Sequence, residues 1–191
     1  KVKQGLSTIG QLERDLNLKQ LQINRLLNIT QAINSNVKMS GLFDMYRSFL
    51  SWEMGVKRMA LFFYENEKWS CTSSIGVDEE YLKMDISDQL IKYTRLYTLT
   101  DNDHPFIRLF DIVIPVKHKD TQLAYVFIGG FGEDEDMYNK VQFITTITNI
   151  IAVAIENKRL FKQQLEQERL EREMELASEM QQLLIPKSLP T

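Results

Sequence analysis

The chain has 191 residues, 43% hydrophobic and 26% charged, with 23 Lys+Arg against 26 Asp+Glu, the composition of an ordinary globular protein with room for one domain and some appendages. A formal net charge of −3 supplies neither a basic field for nucleic acid nor a polybasic patch for a membrane surface. The single cysteine, Cys71, excludes an internal disulfide framework and a structural zinc module, and fits a reducing, cytoplasmic compartment.

No uninterrupted apolar run approaches the roughly 18 residues of a membrane span, and the N-terminus lacks the apolar segment of a signal peptide. The sequence starts at Lys1 without an initiator Met and stops at Pro190-Thr191, so it reads as a piece of a longer polypeptide. Glycine and proline are absent from two long windows, Gln11 to Ser40 and Glu133 to Ile185, and both should be helical.

In the first window Ile9, Leu16, Ile23, Thr30 and Val37 recur every seven residues, with Leu12, Lys19, Leu26 and Ile33 three residues after the first four. This a/d stripe predicts a coiled-coil helix over residues 1–38 that pairs in parallel with a second copy through Leu16, Ile23, Leu26 and Ile33. The same stripe could instead pack on the chain's own domain.

A helix capped by Ser40, with Leu42, Met45, Phe49 and Trp52 on one side and Gly55 closing it, comes next. Val56 to Tyr64 and Lys68 to Ile75 form a hairpin around Glu65-Asn66-Glu67. Asp78 to Leu96 reads mostly as helix with Asp85 or Ser87 as cap, and Tyr97 to Thr100 as a short strand. Ile112 to Val116 and Leu123 to Ile128 make a second hairpin, central in its sheet because it is almost continuously apolar; Pro115 should sit where the ladder needs no donor. One antiparallel sheet with helices on one side is an α+β fold.

A helix over the second window would be roughly 75 Å long and must leave a domain of this size. Ile144, Ile147, Ile151, Ala154 and Ile155 give its first half a broad apolar face. Farther on the stripe narrows to Leu170, Met174, Ala177, Gln181 and Leu184, out of register with Phe161 and Leu165, with Glu168 and Arg172 as an i,i+4 pair. A second coiled-coil seam is expected there.

The strand pair Ile112 to Val116 and Ala124 to Ile128, followed by Ala154-Ile155-Glu156-Asn157-Lys158-Arg159-Leu160, resembles the second half of a GAF domain. Glu175 to Pro190, with Gln181-Gln182-Leu183-Leu184-Ile185-Pro186 and Leu189-Pro190, is similar to the entry helix of bacterial serine/threonine phosphatases of the sporulation and stress-response type (SpoIIE/RsbU-like, PPM class). The heptad stripes and the resemblances together give four parts: an N-terminal coiled-coil helix over residues 1–38, a GAF-like sensor over 39–160, an exit helix over 161–185 carrying Leu165, Leu170, Met174, Ala177 and Leu184, and the start of a phosphatase domain over 186–191. The implied catalytic domain would use Mn²⁺ or Mg²⁺ to dephosphorylate an anti-sigma-factor antagonist. Its aspartate motifs do not occur in this sequence, so the chain itself is expected to have no catalytic residues, metal or cofactor.

The GAF resemblance also implies a pocket for an unknown small molecule near Trp69, Tyr93, Arg95, Tyr97 and Phe106, with Arg95 facing an anion; core and rim residues would give the same letters. The Asn-Lys…Phe…Asp-Glu signature of cyclic-nucleotide-binding relatives is not met, and Cys71 lacks the adjacent His of bilin attachment sites. His104 and His118 fall in separate loops and are expected to be solvated. Other outputs on the same sensor, a histidine kinase or a nucleotide cyclase, stay open, although no histidine follows residue 133. So does a ligand-free dimerisation spacer.

Overall fold

The structure, a computed structural model, describes residues 2–99, 102–130 and 137–184. It divides into two compact units, Lys1–Ala154 and Ile155–Thr191, which are taken separately. Helix α1 (Val2–Asn34) continues through Gly5 and Gly10, and Asn36 turns the chain with φ 60°. The first helix therefore stops short of Ser40, and α2 (Met39–Ser48) starts one residue before that expected cap.

α2 passes directly into a π-helical turn, Phe49–Glu53. Here the Met54 amide donates to the Phe49 carbonyl at 3.2 Å, five residues back. The extra residue in this turn rotates Trp52 off the face that buries Leu42, Tyr46 and Phe49, leaving it 86% exposed, contrary to the one-sided helix expected from the sequence. Gly55, at φ 67°, ends the turn, and the Val56 amide reaches back to the Leu50 carbonyl at 2.9 Å, as a left-handed glycine cap allows.

Five antiparallel strands follow in the order β2-β1-β5-β4-β3: β1 (Arg58–Glu65), β2 (Lys68–Ile75), β3 (Tyr97–Thr98), β4 (Ile112–His118) and β5 (Thr121–Gly129). The hairpin turns are the two-residue pairs Asn66-Glu67 and Lys119-Asp120, and all four residues have positive φ, between 50° and 65°. This is the handedness that matches twisted strands. The apolar strand β5 is central, as its composition implies. Pro115 lies beyond the last β3–β4 pair, Tyr97 with Val113, so on that edge its missing N–H costs no ladder bond.

Between β2 and β3 the long helix expected over 78–96 is replaced by two single turns, α3 (Glu79–Leu82) and α4 (Ser87–Leu90). The Asp85 carboxylate accepts from both the Ser87 amide (3.0 Å) and the Ser87 hydroxyl (2.7 Å). This local turn competes with helix continuation and holds the Asp85 carboxyl below its usual range. β3 has only two residues, and Thr100 lies outside the described residues.

One sheet face, with Met59, Leu61 and Phe63, meets α2, whose Phe43 ring stands edge-on to Phe63 at 6.3 Å. α5 (Met137–Leu184) joins this layer through its first turns. Phe143 stacks edge-on to Phe49 at 5.4 Å, and the buried Tyr46 hydroxyl lies 2.6 Å from Thr148 Oγ1. In the second unit α5 carries the Glu156–Arg159 ion pair at 2.5 Å, and every residue of 160–184 is exposed. Arg169 pairs with Glu173 there at 3.9 Å, in place of the expected Glu168–Arg172 pair. Among the described residues no helix is long and apolar enough to cross a membrane.

Candidate functional site

Strand alternation puts Phe62 of β1 and Tyr125 and Phe127 of β5 on the opposite sheet face. A bulge between Leu61 and Phe62 in the β1–β2 pairing lets Trp69 and Cys71 join that face while Ser73 turns to the other, where it accepts from Arg47 Nη1 at 3.2 Å. The connection from α4 to β4 then lays Tyr93, Phe106 and Phe110 across the strands.

The result is a solid aromatic layer. Phe106 sits 5.6 Å from Phe62, 5.1 Å from Phe110 and 5.5 Å from Phe127, centroid to centroid, and both Phe106 and Phe127 are fully buried. Trp69 stands edge-on to Tyr125 at 4.8 Å. Such edge-to-face pairs add to the ~1.5–3 kcal/mol of burial that each large side chain contributes. His104 holds the loop in place: its Nδ1 accepts from the Phe106 amide at 3.2 Å, and its own amide donates to Asn102 Oδ1 at 2.9 Å. His104 is thus a partly buried loop brace rather than a solvated side chain.

Of the five residues singled out for a ligand, Trp69, Tyr93 and Phe106 meet in this layer. Tyr97 leans on Tyr93 at 5.8 Å but is 56% exposed, and Arg95 is exposed. Phe62, Phe110, Tyr125 and Phe127 complete the layer and were not singled out. Their strands read as continuous apolar runs, and only register decides which residues share a face. The layer's titratable groups favour their neutral forms. Burial raises the Tyr93 and Tyr125 phenols, with Tyr97 adding to the effect on Tyr93. The Cys71 thiol donates to the Ser73 carbonyl at 3.4 Å and is pushed up to about 11 by burial, so it is a poor nucleophile at neutral pH.

Hollows among the described residues include a polar one and an apolar one. The first, of about 540 Å³, is bordered by Gln89, Lys92, Asn102, Asp103 and His104. The other, of about 460 Å³, lies between α1 and the π turn. Ile29, Met45, Phe49 and Trp52 give it apolar walls, and Arg25 Nε bonds to Glu53 Oε1 at 2.5 Å on its rim. Among the described residues no three His, Cys, Asp or Glu side chains converge where a metal could sit.

The seam residues divide by surroundings. On α1, Leu16 and Ile23 are exposed, whereas Leu26 and Ile33 are partly buried on the side that buries Ile29. On α5, Leu165, Leu170, Met174, Ala177 and Leu184 are all exposed, while residues 185–191, including the expected start of the phosphatase domain, lie outside the described residues.

No family model and no curated protein matches the sequence. Solved structures do. The GAF domain of a putative sensor histidine kinase from Pseudomonas syringae pv. tomato superposes with a TM-score of 0.58 at 12% identity, covering 81% of this chain and 97% of that one. The GAF domain of a phosphoenolpyruvate-protein phosphotransferase from Coxiella burnetii gives 0.58 at 14% identity, over 74% and 96%. The GAF domain of A. aeolicus nlh2 in an inactive state gives 0.55 at 20% identity, over 74% and 99%. Sheet order, helical cover and these superpositions together establish that the chain has a GAF fold, in an α+β architecture with long helices at both ends.

Proposed function

We propose that this chain is the regulatory sensor and dimerisation module of a cytoplasmic bacterial signalling protein, acting through α5 on a PPM-type serine/threonine phosphatase domain. The observation that carries the reading is on α5. Its wholly exposed stretch bears the narrow stripe Leu170, Met174, Ala177, Gln181 and Leu184, which overlaps the phosphatase-like string beginning at Glu175. The GAF neighbours drawn from a sensor kinase and a phosphotransferase support the regulatory half of the reading.

In this reading the module is a homodimer and the signal is a population shift. An input favours one packing of the paired exit helices, and that packing orders or disorders the catalytic entry segment. An input with equal affinity for both packings would change nothing. The phosphatase domain, not this chain, would hold Mn²⁺ or Mg²⁺ and act on a phosphorylated anti-sigma-factor antagonist.

The parent polypeptide tests this directly. Replacing Leu170, Met174 and Leu184 together by Gln should change its rate of phosphate release from a phosphoserine protein while the melting of the sensor domain stays the same. Unchanged release would remove the exit stripe from the mechanism.

The packed aromatic layer favours a second reading, in which the domain takes no small molecule on that sheet face and serves as a ligand-free spacer. Purified protein whose denatured extract contains a stoichiometric small molecule would dismiss the spacer.

A further inference from the structure

The heptad positions of α1 cannot all serve one partner. At 100° per residue, Gln22, Leu26, Ile29 and Ile33 fall within a narrow arc of the helix, and all four are buried or half-buried in its own chain, as is Ala32 farther around on the side away from the stripe described next. Arg25 ties the same end of the helix to Glu53 of the π turn. Leu26 and Ile33, two d positions of the stripe read from sequence, are therefore already engaged.

Roughly 130° around the helix runs a second apolar stripe. It consists of Val2, Leu6, Ile9, Leu16, Ile23 and Leu27, each more than half exposed. Counted from Val2 the spacing alternates four and three residues through positions 2, 6, 9, 13, 16, 20, 23 and 27, the repeat of a two-helix seam. Glu13 and Gln20 are its polar interruptions and cost the seam stability. It shares Ile9, Leu16 and Ile23 with the a/d stripe but is turned away from the domain by about 60°.

We propose that this re-phased stripe, through Val2, Leu6, Ile9, Leu16, Ile23 and Leu27, is the surface on which α1 of a second copy of the chain docks in parallel. The proposal rests on the dimeric reading above and specifies which side of α1 the dimer uses. A second copy fits because the seam is self-complementary under a two-fold axis along the helices. Its size also fits: six aliphatic side chains at ~60–120 Å² each, with their flanking residues, approach the ~800 Å² per partner of a standard stable interface.

Neighbouring positions separate the two phases. In a Cys71→Ser background, Gln20→Cys and Leu27→Cys place a thiol in the re-phased seam, and Lys19→Cys and Leu26→Cys place it in the a/d seam. Under copper-catalysed air oxidation, the chains substituted at 20 and 27 should move from the monomer to the dimer band on a non-reducing gel, and those at 19 and 26 should stay monomeric. Lys19 and Gln20 are both exposed, so that pair is free of folding effects. Dimer bands at 19 and 26 in place of 20 and 27, or at none of the four, overturn the assignment. Light scattering tells the two failures apart: a dimer linked at the wrong positions sinks the seam alone, and a monomer sinks the dimeric reading with it.

Discussion

Tyr46 and Thr148 join α2 to the first part of α5 inside the core, where a polar pair is stable only if its hydrogen bonds are complete. Thr148 Oγ1 donates to the Ile144 carbonyl at 2.6 Å, so the Tyr46 hydroxyl is the donor in the 2.6 Å contact between the two side chains. Burial drives the Tyr46 phenol far above its ordinary titration range, and it remains neutral. The two partners are therefore unequal. Tyr46→Phe deletes a donor and leaves Thr148 satisfied by Ile144, which should cost ~1 kcal/mol. Thr148→Val leaves a buried phenol with no acceptor and should cost ~1–3 kcal/mol. Urea denaturation of the two variants checks this order, and equal losses would mean that the Tyr46 hydroxyl finds another acceptor.

At the scale of elements, backbone handedness is what separates tolerant positions from intolerant ones. Glu67 sits at φ 65° in the β1–β2 turn, where an L-residue carries a penalty of ~1–2 kcal/mol that glycine avoids. Glu67→Gly should accordingly raise the urea midpoint. Gly76 has φ 60°, and a Cβ there would lie 2.3 Å from the Lys57 carbonyl oxygen. Gly76→Ala meets both the penalty and a backbone clash, and should lower the midpoint sharply; a neutral outcome would show that the β1 and β2 ends separate easily. The turn at Asn66-Glu67 was legible in the sequence because polar residues interrupt two apolar runs. The π turn was not, since an i→i+5 bond has no residue signature, and Trp52 therefore looked like a core residue. The lost helix over 78–96 has a related cause: Asp85 and Ser87 suggested caps, but their side chains close a local turn instead.

For the whole molecule, the antiparallel sheet and long helices were legible because their periods survive in sequence, whereas the GAF likeness rested on a resemblance carried by the strand pair Ile112 to Ile128 and the string Ala154 to Leu160. The aromatic layer was legible only in part. Trp69, Tyr93 and Phe106 stand out as isolated aromatics, but Phe62 and Phe127 acquire their neighbours through register and a bulge. Heptad spacing likewise marks a face of α1 without naming its partner, and the chain's own domain takes part of that face. Association is then the property on which the functional reading depends. The intact chain, 22.4 kDa as a monomer, should scatter light as a dimer, and removing its last 25 residues should weaken the dimer without lowering the melting temperature of the sensor domain. That truncation removes Leu170 and Leu184 themselves, 49% and 83% exposed, and with them the exit stripe, while the α1 seam would remain. A chain monomeric at high concentration both before and after truncation would mean that neither stripe pairs on its own, and coupling through paired helices would have to be abandoned.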